Sequence, residues 1–113
     1  MPDRFADTPQ PPYVAAIFTS QLRDRTDAEY QATAGALVRR IQEAPGFLGF
    51  EAASDPTGFE MVVAYFADES SLRAWKNDEK HVAAQRSGKE RWYSHYRVRV
   101  ARVERSYSGP EGR

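Results

Sequence analysis

Residues 26–66 read TDAEYQATAGALVRRIQEAPGFLGFEAASDPTGFEMVVAYF, and the reading of this stretch decides the fold. Its first part is helical by pattern. Tyr30, Ala34, Leu37, Val38 and Ile41 fall at i, i+4, i+7, i+8 and i+11, the apolar stripe of an amphipathic helix. Thr26-Asp-Ala-Glu29 is an S/T-x-x-E capping box, in which each side chain can satisfy the other residue's free amide. Ala44-Pro45-Gly46 ends the helix, because proline disfavours helical geometry in the residue before it and glycine permits a turn. Phe47 to Ser54 and Phe59 to Phe66 are then two strand-like runs, and Asp55-Pro-Thr-Gly58 between them is a turn signal. The stretch is a helix followed by a β-hairpin.

Upstream, Tyr13 to Leu22 (YVAAIFTSQL) is apolar with aromatic and β-branched members, and reads as a strand. Downstream, Asp68-Glu-Ser-Ser71 opens a second helix with acidic residues where the helix dipole favours them, and Leu72, Trp75 and Val82 supply its apolar side. Tyr96 to Arg105 alternates apolar and basic through Val100; Val103 is out of phase, and a bulge near Ala101-Arg102 would restore its side. The order β-α-β-β-α-β predicts an α+β, ferredoxin-like protomer with an antiparallel sheet. Two helices cover one face of such a sheet. Both alternate sets of the first strand are apolar, Val14, Ala16, Phe18 and Tyr13, Ala15, Ile17, so the second face also needs cover. A second copy of the chain is the economical cover, and a homodimer is expected.

A length of 113 residues predicts one domain, expected over 13–105. Residues 1–12 hold four of the seven prolines and read as a flexible tail, as does 106–113 with Gly109-Pro110. Sixteen basic residues balance sixteen acidic ones, which argues against nucleic acid as a partner. The segment from Arg86 to Arg105 is locally basic, but alternation puts Arg97 and Arg99 on one strand face, available for ion pairs or for steering an anionic substrate. The absence of cysteine excludes disulfides, thiolate metal sites and a thiol nucleophile. The longest apolar runs, such as Val14 to Phe18, are far short of the roughly 20 residues that span a bilayer. No membrane partner is expected, and the chain reads as cytoplasmic.

Two histidines, His81 and His95, rule out a three-histidine metal site within one chain; a mixed histidine and carboxylate site stays open, with no His-x-x-x-His or Glu-x-x-His spacing to support it. His81 is the best candidate for chemistry, since imidazole titrates near neutral pH. On an unbroken helix, six residues turn it about 120° away from Trp75 and toward water. A break at Asn77-Asp78, with Asp78 capping a new turn, would swing it inward, and this is the geometry expected here. Trp75 either packs in the core or forms a pocket wall beneath the second helix. Asn77 is either a helix interrupter or a polar group at the pocket mouth. Trp92, Tyr93 and Tyr96 cluster at the entry to the last strand, suited to core or dimer seam first and to ligand second.

Tyr13-Val-Ala-Ala-Ile-Phe-Thr-Ser-Gln21, Pro45-Gly-Phe-Leu-Gly-Phe-Glu51, and the late block with Ala74-Trp75, His81 and Arg91-Trp-Tyr-Ser-His-Tyr96 resemble the antibiotic-biosynthesis monooxygenase superfamily over about residues 13–105. The resemblance implies a dimeric α+β barrel of ferredoxin-like protomers packed sheet to sheet. It implies several chemistries: cofactor-independent oxidation of polycyclic phenols, haem degradation and haem binding among them. The haem-degrading branch has a first-strand asparagine, a helix-two tryptophan and a histidine ten residues later. This chain matches it at Trp75, has Gln85 at the histidine position, and has Phe18 and Thr19 on the first strand. Its own histidine, His81, comes six residues after the tryptophan. The resulting expectation is a monooxygenase with no cofactor acting on a small aromatic ligand, with haem or small-molecule binding without turnover as the alternative. His81 and Trp75 are the expected catalytic pair, and Asn77, Phe18, Tyr65 and Trp92 the expected substrate-binding residues.

Overall fold

The structure is a computed structural model that describes residues 4–110, and of Glu79 and Lys80 the backbone. Residues 1–3 and 111–113 of the two expected tails lie outside the described residues. The order is β1 (Tyr13–Leu22), α1 (Ala28–Ile41), β2 (Phe47–Ser54), β3 (Phe59–Phe66), α2 (Glu69–Lys76), α3 (Glu79–Ser87) and β4 (Tyr93–Val103), with a single π-helical turn over Gly88–Trp92 before β4. The four strands form one antiparallel sheet in the order β2-β3-β1-β4, the ferredoxin-like arrangement. The helices lie on one of its faces.

Local signals explain most of these boundaries, with two corrections. Asp27, not Thr26, caps α1: its carboxylate accepts from the Tyr30 amide at 2.8 Å, while Thr26 turns its amide and hydroxyl to Asp24. Both residues suit a cap, and the neighbouring carboxylate of Asp24 decides between them. The second correction concerns β4. It pairs with β1 without interruption from Arg97 to Val103, and the irregularity falls at Ser94, between the pairs Gln21–His95 and Leu22–Tyr93. Val103 therefore shares a face with Tyr13, opposite the face of Val98 and Val100.

Gly46 shows why the first helix must stop where it does. Its φ of 80° is in the left-handed region, its carbonyl accepts from Ala67 at 2.8 Å, and an added Cβ would collide with the Ser71 side chain in the first turn of α2. Gly46→Ala is therefore expected to lower stability by about 1–3 kcal/mol, read as a reduced urea midpoint at unchanged slope.

The helix-facing side of the sheet is a stack of rows, each crossing the strands in register. The first row is Phe47, Phe66, Val14 and Arg102; the second is Phe50, Ala64, Ala16 and Val100; the third is Ala52, Val62, Phe18 and Val98. The fourth is Ser54, Glu60, Ser20 and Tyr96, a polar row across all four strands. Two core clusters pack on this surface. Ile41, Phe66 and Trp75, with Leu37, Ala44, Phe47, Ala64 and Leu72, sit over the first rows; Leu22, Tyr30 and Trp92, with Ala34 and Tyr93, sit beyond the polar row. The helices leave the outer strand uncovered, with Val98 51% and Val100 55% exposed.

The opposite face carries Tyr13, Ala15 and Ile17 beside Met61, Val63 and Tyr65, with Arg97 and Arg99 along its β4 edge. The N-terminal stretch lies against its β2 side. The Ala6 amide donates to Glu51 at 3.0 Å, the hydroxyls of Thr8 and Tyr13 are 3.0 Å apart, and Phe5 borders a groove with Glu51, Ala53, Met61 and Val63.

Candidate functional site

The helix after Phe66 divides where the sequence suggested. Asn77 closes α2, its amide donating to the Arg73 carbonyl at 3.0 Å. Asp78 then starts α3: its side chain accepts from the His81 amide at 3.3 Å and its carbonyl from the Val82 amide at 2.8 Å. An ion pair of 2.8 Å between Arg40 and Asp78 ties this junction to the end of α1. At the far end, Arg91 and Glu29 join the π-helical turn to the start of α1 at 2.6 Å. Held at both ends, α3 runs antiparallel to α1.

The break swings His81 inward. Its ring stacks on the Trp75 indole, centroids 4.8 Å apart and planes 18° from parallel, and its Nδ1 lies 3.1 Å from the Trp75 carbonyl oxygen. Burial lowers the imidazole pKa below its ordinary 6.5; the Trp75 carbonyl and Asp78 pull the other way, and Lys76 adds to the lowering. The ring is thus neutral at pH 7. A carbonyl can only accept, so the proton is assigned to Nδ1, and Nε2 presents a bare lone pair. No described residue hydrogen-bonds Nε2.

The other expected site residues divide between two places and two faces. Asn77 is exposed beside the junction. Phe18 is on the helix-facing side, its ring 5.5 Å from Tyr93 and 5.8 Å from Tyr96. Trp92 is buried against Tyr30 and Leu22, a core residue. Tyr65 is a correction: it points to the opposite sheet face, where its hydroxyl donates to Glu51 at 2.8 Å and its ring meets Tyr13 edge-on. Burial, and then the bond to Glu51, push its phenol up to about 12. It shares no surface with Phe18 or Trp75, because strand neighbours of opposite parity face opposite ways. The grooves found on the surface also differ from the expected pocket beneath α2. One lies under Phe5 on the open face; the other, lined by Arg4, Ala52, Ala53, Ser54, Glu60 and Val62, runs along β2.

The polar row was not anticipated. Tyr30 donates its hydroxyl to Glu60 Oε1 at 2.7 Å, and burial, reinforced by Glu60, holds this phenol far above its usual range. Burial also raises Tyr93, whose ring lies 6.1 Å from that of Tyr30. Ser20, next to Glu60 in register, is 2% exposed, and its hydroxyl has no partner among the described residues. A serine on the otherwise apolar helix-facing side of β1 was the available signal.

Among the described residues no three histidine, aspartate or glutamate side chains gather as a metal site, and no helix is long and apolar enough to cross a membrane.

Comparison with known proteins agrees with this fold. Over 105 residues, spanning 93% of this chain and 91% of the relative, the sequence is 37% identical to the uncharacterised protein YqjZ of Bacillus subtilis (strain 168). The structure of SnoaB, a cofactor-independent oxygenase from Streptomyces nogalater, superposes with a TM-score of 0.70 at 9% identity, over 83% of this chain and 95% of that one. A conserved protein from Methanosarcina mazei Go1 superposes with a TM-score of 0.72 at 10% identity, over 82% of this chain and 94% of that one. These two likenesses are of fold. The sequence pattern of the antibiotic biosynthesis monooxygenase family matches residues 13–87, from the first strand through α3, and the chain belongs to that family.

Proposed function

We propose that the protein is a cofactor-independent oxygenase of small phenolic aromatics, in which His81 transfers the proton and Trp75 holds it in place. The observation that carries this reading is the state of His81: neutral, its tautomer fixed by the Trp75 carbonyl, with Nε2 free to accept. The fold it shares with SnoaB, a cofactor-independent oxygenase, supports the same reading.

The chemistry needs no external reductant. Nε2 takes the phenolic proton, and the anion places electron density on the para ring carbon. That carbon donates to dioxygen, a C–O bond forms, and the imidazolium returns its proton to the peroxide. The O–O bond then breaks as the carbon loses its hydrogen. One substrate and one O₂ give a quinone and one water.

Oxygen uptake with a panel of quinols and polycyclic phenols is the test, with uptake expected from the wild type and lost in His81→Ala. A neutral imidazole Nε2 is also an axial ligand for haem iron. A Soret shift on haemin titration that His81→Ala removes, with no oxygen uptake, would replace the oxygenase with a haem binder. The absence of both responses would overturn both readings.

The same proposal makes the protein a homodimer through its open sheet face, where Met61 and Phe59 stand exposed. Light scattering at micromolar concentration is expected to give twice the 12.8 kDa chain mass; the single mass would exclude it.

A further inference from the structure

We infer that the polar row receives the hydroxyl of an aromatic ligand between Glu60 and Ser20, at a place separate from His81. The donor and acceptor pattern selects that group. Tyr30 occupies Glu60 Oε1, and no described residue donates to Oε2. Ser20, adjacent across the β1–β3 pair, has a buried hydroxyl with no partner among the described residues. A carboxylate oxygen that can only accept, beside a hydroxyl free to donate, complements a group that does both. A ligand hydroxyl is such a group; a ketone oxygen offers nothing to Glu60.

The approach to the site is from the Glu60 side. A groove of about 270 Å³, lined also by Arg4, Ala52, Ala53 and Ser54, reaches Glu60 and Val62 from the β2 side. The next row toward His81 is Val62, Phe18 and Val98, an apolar surface for a ring, followed by the small residues Ala64 and Ala16. Val14, level with Phe66 in the Trp75 cluster, is six residues from Ser20, about 20 Å along the strand. The hydroxyl received here is therefore not the one deprotonated at His81. A small aromatic held here does not reach His81, so the two places are separate. The hydroxyl site at Ser20 and Glu60 does not rest on the oxygenase reading.

An unsatisfied buried hydroxyl also makes a prediction of sign. A serine that serves the fold, directly or through a bound water, loses stability when truncated. A serine kept for a ligand costs the free protein its desolvation, so its removal leaves stability unchanged or raises it. The experiment pairs ligand-free thermal unfolding with NMR titrations of 2-naphthol and naphthalene, followed at the amides of Phe18, Ser20 and Glu60. The wild type is expected to bind 2-naphthol roughly tenfold or more tightly than naphthalene, as a hydrogen bond to a charged group provides. Ser20→Ala is expected to cut that preference roughly three- to tenfold with an equal or higher melting temperature, and His81→Ala to keep it. A preference unchanged in Ser20→Ala, one lost in His81→Ala, or a lower melting temperature in Ser20→Ala would overturn the inference. Oxygen uptake is not read, so a failed oxygenase and a failed hydroxyl site are told apart.

Discussion

Phe66→Ala is expected to cost about 3–5 kcal/mol, the largest single loss of stability in the fold, because an aromatic ring is removed from a site that cannot collapse. Phe66 is 0% exposed and stands in register with Val14 on one side and Phe47 on the other. The Phe47 ring meets it edge-on at 5.7 Å, and Ile41 and Trp75 close over it from α1 and α2. Its neighbours are thus fixed by three strands and two helices, and none can move in without breaking its own pairing. At about 4 °C per kcal/mol for a domain of this size, the melting temperature should fall by roughly 12–20 °C. Val38→Ala is the contrast. Val38 belongs to the apolar stripe of α1 by spacing, yet is 43% exposed, and its truncation should stay within about 0.5 kcal/mol. Calorimetry on both variants checks the pair, and a Phe66→Ala loss no larger than that of Val38→Ala would place the core elsewhere.

The difference between those two residues marks what the sequence could convey. Periodicity placed α1 and its stripe, and Tyr30 and Ile41 are buried as the spacing requires. It could not show how wide the buried stripe is, since that depends on how α2 and α3 flank the helix. The break at Asn77-Asp78 was legible because a capping residue before an acidic one is local chemistry. Tyr65 was not. Both alternate sets of residues along the strands are apolar, so alternation alone could not say which set faces the helices. The bulge was misplaced for the same reason: setting Val103 on the side of Val100 presumed a single apolar face. The polar row lay furthest from view. Ser54, Glu60, Ser20 and Tyr96 come from four strands, and only the pairing register brings them into line.

Oxygen uptake in His81→Gln is expected to fall about 10²- to 10⁴-fold, the loss that follows removal of a positioned proton-transfer group. Glutamine keeps a polar planar end near Trp75 but has no basic nitrogen, so folding and proton transfer are separated. The pH dependence carries the sharper test. Burial is the first cause that lowers the His81 pKa below 6.5, so the base stays unprotonated as the pH falls through neutrality. The kcat/KM of the wild type should stay level through pH 6.5 and fall with unit slope only at lower pH, because this ratio reports the free enzyme. Stability follows the same ionisation. The unfolded chain takes up its proton near pH 6.5, before the folded one, so the contribution is complete above that pH and is lost as the pH falls from there to the folded pKa. His81→Gln lacks this component, and its stability curve should be the flatter of the two across that window. The facing charges refine the position: Asp78, paired with Arg40, favours the imidazolium, and Lys76 opposes it. An acid limb centred above pH 6.5 would mean that the His81 ring is not buried in its neutral form, and the proton-transfer role would then have to be given up.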